Sequence, residues 1–291
     1  MPTRRAVVAG VTAAAVSLVP SVPLLAATGG ATQDRRRINL VSRQRMLSQQ
    51  IGRAALFAAV DVEQSRHLEM LETSATDFAA GLANLRDGTP ELELDPETDA
   101  AVLATLAQLD ALWQGAALSI GDILENQYVP DAQIRRVAGQ SAALTDATGR
   151  LMRAMLAKSS VMADDTGLTV SIDIAGRQQM LSQKMAKDSA LIALGVEIEE
   201  TRDALDDTVA LFDNSLRALI EGMPTVTLPP PPERIRLKLL EISESWQGYA
   251  ALIGAVASSG IASNFELFAV AAQVDPLVAA LDEVVRLYET A

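Results

Sequence analysis

The sequence predicts an all-α protein of two tandem antiparallel four-helix bundles, and three observations carry that expectation. The first is the palette. Hydrophobic residues make up 49% of the 291-residue chain but aromatic ones only 3%; Ala and Leu, strong helix formers, dominate while strand formers are sparse. The second is an internal duplication. "INLVSRQRMLSQQI" at Ile38–Ile51 returns 134 residues later as "IDIAGRQQMLSQKM" at Ile172–Met185, identical at seven of fourteen positions. At the same offset Glu63 pairs with Glu197, Phe78 with Phe212, Leu82 with Leu216, Gly88 with Gly222 and Pro90 with Pro224, and the "WQG" of Trp113–Gly115 returns one residue out of step at Trp246–Gly248. The third is the period: Leu40, Gln44, Leu47, Ile51, Ala54 and Ala58 step by four and three, as do Ile174, Gln178, Leu181, Met185, Asp188 and Ile192.

The elements run in order. Residues 1–31 read as an export signal of the twin-arginine type: Arg4 and Arg5 precede an uncharged apolar stretch from Ala6 to Ala27, with small residues for cleavage between about Ala26 and Thr32. Uncleaved, that stretch is long enough to anchor the protein in a bilayer. The first bundle is expected over residues 32–164 and the second over 165–291, joined at Asp165–Val170. In the first, the opening helix breaks near Asp61–His67, and "LEMLETSATDFAAGLANLRDG" forms a second helix stopped by Gly88 and Pro90. "TPELELDPETD" then leads to a third helix carrying Trp113, and the fourth runs over about Asp131–Met162. The second bundle repeats the order, with a stiff polyproline spacer at Pro229–Pro232, Trp246 on its third helix and a fourth helix over about Asn264–Thr290. Antiparallel helices joined by short loops give two up-down bundles, each anchored by its Trp.

Composition narrows the function. The net charge of −13 argues against nucleic acid as a partner. The absence of cysteine excludes disulfides, thiol catalysis, Cys-ligated zinc, iron–sulfur clusters and haem attachment through C-x-x-C-H. After residue 31 no uncharged apolar run reaches the length of a membrane span. With one histidine, His67, read as exposed at a loop, and no Ser-His pairing or phosphate loop, neither a metal site nor a catalytic site is expected.

Charge is uneven along the chain. From Arg35 to Val60 there are six Arg and no acid, and Arg177, Lys184 and Lys187 are concentrated in the matching part of the second unit. Arg43, Met46, Gln50 and Arg53 share a helix face, matched by Arg177, Met180, Lys184 and Lys187. Arg35, Arg36, Arg37 and Arg53 read as solvated surface residues, and Met46, Leu47, Met180 and Leu181 as core. The candidate ligand-binding residues are Arg43, Gln44, Arg45, Arg177, Gln178 and Gln179: were the two first helices to meet across an approximate two-fold axis, Arg43 and Arg177, or Arg45 and Gln179, would converge. Guanidinium donors fit trigonal oxyanions. Three or four charge-assisted hydrogen bonds would support binding of about −8 kcal/mol, in the micromolar range, after ordering and desolvation. Gln44 and Gln178 could equally serve to fix helix register, and an internal salt bridge is as good a reading of Arg43 and Arg177.

The phrase "INLVSRQRMLSQ" at Ile38–Gln49 resembles the opening helix of the PilJ-type domain, the N-terminal sensing module of type IV pili methyl-accepting chemotaxis transducers. "IDIAGRQQMLSQKMAK" at Ile172–Lys187 looks like the same signature, and "LDEVVRLYET" at Leu281–Thr290 is similar to the end of that domain's last helix. The resemblance covers both units. It implies kinship with the periplasmic sensor of NarX-type nitrate/nitrite sensor kinases, in which a nitrate lies between the first helices of two subunits, held by the Arg that precedes the motif's Met. By position that Arg is Arg45, and Gln179 stands where the second would be. The resemblance therefore leads to the expectation of a periplasmic, sensor-type protein that binds nitrate or nitrite between its two first helices. Such a protein would have no output domain of its own before Ala291, would use no cofactor, and would present its liganded state to a membrane sensor or transporter. The rival expectation is a ligand-free helical scaffold or adaptor.

Overall fold

The computed structural model describes residues 24–158 and 163–290. Among these, eight α-helices form two bundles: α1 Leu24–Ala59, α2 Gln64–Asp87, α3 Ala100–Asn126 and α4 Asp131–Lys158, then α5 Ala163–Ala193, α6 Ile198–Glu221, α7 Glu233–Ser259 and α8 Asn264–Glu289. In each bundle every helix packs on its neighbours in sequence, and the last returns to the first. The apolar faces close around Trp113 tilted on Phe78, with ring centroids 4.7 Å apart, and at the matching place around Trp246 stacked on Phe212 at 3.9 Å. Both Trp anchors are therefore core residues, as the sequence predicts.

The duplication extends into the turns. Glu63 and Glu197 precede α2 and α6 with φ of 45° and 46°, and Gly88 and Gly222 end those helices at 71° and 79°. Short 3-10 turns at Pro90–Leu92 and Pro224–Val226 are closed by the bridges Thr89 to Leu94 and Met223 to Leu228. The first part of each linker is thus a tight turn, and the extended backbone at Pro232 leads directly into α7.

Some expected boundaries lie outside the described residues and others differ. Residues 1–23 of the expected export signal lie outside the described residues, and 24–31 begin α1. Helix α4 is described from Asp131 to Lys158, the last residues expected of it, 159–162, lying outside the described residues, and the expected junction at Asp165–Val170 lies within α5. There Gly167 lets the helix pass against the ring of Pro229 and the carbonyl of Thr227, where a Cβ would come within 2.8 Å of the ring. The break after α1 spans only residues 60–63, so His67 belongs to α2 and is fully buried.

The two bundles meet along α1 and α5, which run parallel. Ser42 lies against Gly176, its counterpart in the duplication, so close that a Cβ on Gly176 would stand 2.6 Å from that of Ser42; farther along, Gly52 faces Lys187. Contact between equivalent residues places a pseudo-two-fold axis along this seam. Arg53, fully buried, crosses from α1 to Asp275 of α8 at 2.8 Å and braces one bundle to the other. Among the described residues no helix is long and apolar enough to cross a membrane.

Candidate functional site

The repeated R-Q-x-M-L-S-Q block sits at mid-height on α1 and α5, and its residues point in different directions. Gln44 turns into its own bundle, against α2 at Gly81; a Cβ there would overlap its amide. Gln178 does the same in the second bundle, donating from Nε2 to the Phe212 carbonyl at 3.1 Å and to Ser215 Oγ at 3.0 Å. Ser215 is the counterpart of Gly81. Ser48 and Gln49 hydrogen-bond Thr145 of α4, Gln49 at 2.7 Å. Much of the motif is therefore a packing frame, and Gln44 and Gln178 lie inside the two bundles, away from the seam.

The arginines diverge too. Arg43 and Arg177 do not meet: Arg43 is exposed and pairs with Asp77 of α2 at 2.8 Å, on the opposite side of the seam from Arg177. Arg53 is not a surface residue, since it is buried beneath α8, and Arg37 is buried and pairs with Glu97 at 3.5 Å. Lys187, the counterpart of Arg53, is also buried, so that desolvation lowers its pKa; Asp188 opposes the shift and Lys184 adds to it.

Arg45 and Gln179 occupy equivalent places on either side of the axis, each at the floor of a cleft. Gln179 reaches Asp282 of α8 at 3.4 Å. Arg45 is only 7% exposed and pairs across the seam with Asp173 of α5 at 3.2 Å. That contact lacks hydrogen-bond geometry, leaving Arg45 Nε and Asp173 Oδ1 without hydrogen-bond partners. Burial lowers the pKa of the guanidinium; Asp173 opposes this, while the nearby Arg177 and Arg153 push the same way. Arg45 thus has a counter-ion but keeps one buried N–H donor without an acceptor.

The cleft above Arg45 has a volume of about 490 Å³ and lies between α1, α4 and α5. Arg150 and Arg153 of α4 and Arg177 of α5 complete its basic lining, with Asp146 and Asp173 as its acids. Sequence reasoning missed Arg150 and Arg153. Their spacing of three on one helical face, inside an acidic chain, was the available signal. The cleft at Gln179, about 520 Å³ and walled by α2 as well as α1, α5 and α8, has the opposite balance: Arg43 and Arg66 against Glu69, Asp77, Asp275 and Asp282. Among the described residues no cluster of three or more His, Cys, Asp or Glu could hold a metal ion.

The family model described as type IV pili methyl-accepting chemotaxis transducer N-term (PilJ) matches residues 28–143 and 161–264, one segment in each repeat. No curated protein sequence matches the chain.

Proposed function

Because the chain belongs to the PilJ family of type IV pili methyl-accepting chemotaxis transducer N-terminal domains, in two tandem segments, we propose that it is an exported, periplasmic binding protein for a small oxyanion. Its family is one of signal-sensing helical modules, and the fused pair of bundles is the sensing unit. The ligand is taken at Arg45, in the cleft of α1, α4 and α5, with Arg177 as second donor; nitrate and nitrite are the first ligands to try. Binding gives the Arg45 guanidinium, already paired with Asp173, an acceptor for its unsatisfied Nε. The liganded form is then read by a membrane sensor or transporter. In place of subunits that must find one another, the chain holds both first helices together, which removes the cost of association.

The observation that carries this reading is Arg45, buried at the seam with an unsatisfied Nε and open to a basic cleft. Calorimetric and thermal-shift titrations of the full chain with nitrate and nitrite test it. Binding in the micromolar to millimolar range, abolished by Arg45→Gln, is expected; no heat and no shift at millimolar anion would sink it. The scaffold reading draws on the burial of Gln44 and Gln178 in the bundle interiors. It expects Arg45→Gln to change stability alone.

A further inference from the structure

We propose, resting on the anion-binding reading above, that the ligand is a small dianion of the dicarboxylate class, held at one end by Arg45 and Arg177 and at the other by Arg150 and Arg153. Four guanidinium groups against Asp146 and Asp173 leave the cleft lining with two positive charges in excess. A single trigonal monoanion would neutralise one of them and fill a small part of about 490 Å³. The cations stand on two walls, Arg45 and Arg177 on the paired first helices and Arg150 and Arg153 one turn apart on α4, which suits a ligand with an acidic group at each end.

The duplication supplies an internal control. At offsets of 134 on the first helices and 133 on the fourth, Arg45 corresponds to Gln179, Gly149 to Asp282 and Arg150 to Glu283, while Arg153 keeps its charge as Arg286 and Asp146 becomes Ala279. The second cleft has thus lost the buried cation of the seam and carries Asp282 in place of a glycine. Its own cations are neutralised, Arg43 by Asp77 and Arg66 by Asp275, both at 2.8 Å. In the first cleft, Arg150, Arg153 and Arg177 have no ion pair among the described residues. Of the two clefts that flank the seam, the one at Arg45 is therefore basic and the one at Gln179, which α2 also walls, is acidic, and the protein takes one dianion per chain.

The test is calorimetry on the full chain at fixed ionic strength with succinate and with nitrate, repeated for the double variant Arg150→Ser/Arg153→Ser and for Arg136→Ser, an exposed control outside this cleft. Succinate should bind with one site and at least about tenfold more tightly than nitrate. The double variant should weaken succinate at least about tenfold and nitrate less than about threefold, with the control unchanged for both. Nitrate binding as tightly as succinate, or equal losses for the two anions in the double variant, overturns the dianion assignment while leaving the anion-binding reading intact. Equal loss in Arg136→Ser reduces the effect to surface charge and overturns it too. Absence of heat and of thermal shift with both succinate and nitrate overturns both readings. Thermal melts of the variants, whose substituted side chains are exposed, establish that they fold.

Discussion

His67 lies against Phe57 with ring centroids 4.9 Å apart, and neither ring nitrogen has a hydrogen-bond partner among the described residues. Burial pushes its pKa down to about 3; Arg53 and Arg66 push the same way, and Asp275 opposes them. In the unfolded chain histidine titrates near 6.5, so below that pH the unfolded state binds a proton that the native state refuses. Stability is therefore lost as pH falls from about 6.5 towards 3, by at most about 1.4 kcal/mol per pH unit from this residue. Thermal melts across that range should show a flatter slope for His67→Leu. An unchanged slope would assign the loss to carboxylates such as Glu97, whose pKa is lowered because, against desolvation, Lys158 and the amides of Asp99 and Thr98 hold its charge. Neither His67 nor Arg53 was legible as a buried group. The polar run from Asp61 reads as a longer break than the four residues that form it, and the partner that draws Arg53 inside, Asp275, lies more than two hundred residues away. By contrast Trp113, Trp246 and the stop glycines Gly88 and Gly222 were legible, because each acts through its own helix and nearest neighbour.

Helices α1 and α5 are packed on several sides: Ile51 to Ala58 is buried throughout, and the one charge in its sequence, Arg53, is turned inward to Asp275. Period alone shows such a helix to be central without showing what surrounds it, so the bundles were predictable and their side-by-side pairing was only conditional. The deciding residue is Gly176. Its missing side chain admits Ser42, and Gly176→Leu should force the parallel helices apart at the cost of overpacking, about 1–3 kcal/mol. Equilibrium urea denaturation measures that cost, and a drop in anion affinity should accompany it because Arg45 and Asp173 face each other across the same seam. Full stability in the variant would show the seam to be loosely packed. The same logic explains why Gln44 and Gln178 resemble ligand contacts in the sequence. A polar side chain in an apolar stripe signals either a site or an internal partner, and here Gln178 finds Ser215, whereas Gln44 fits the space left by Gly81.

At the scale of the whole molecule, duplication has kept the frame and released the chemistry. The turns, the Trp–Phe pairs and the parallel seam are held in common, while the two clefts have moved to opposite charge. Between Lys158 and Ala163 the covalent connection is short, yet the seam from Ser42 to Arg53, with its cross-brace to Asp275, joins the halves independently of it. The peptide link adds a tether that raises the local concentration of each half for the other. Two fragments co-expressed with the break at residues 160 and 161 should assemble into a one-to-one complex with native helicity and a concentration-dependent melting temperature. If each fragment instead stays apart as a folded monomer, the tether and not the seam holds the pair together.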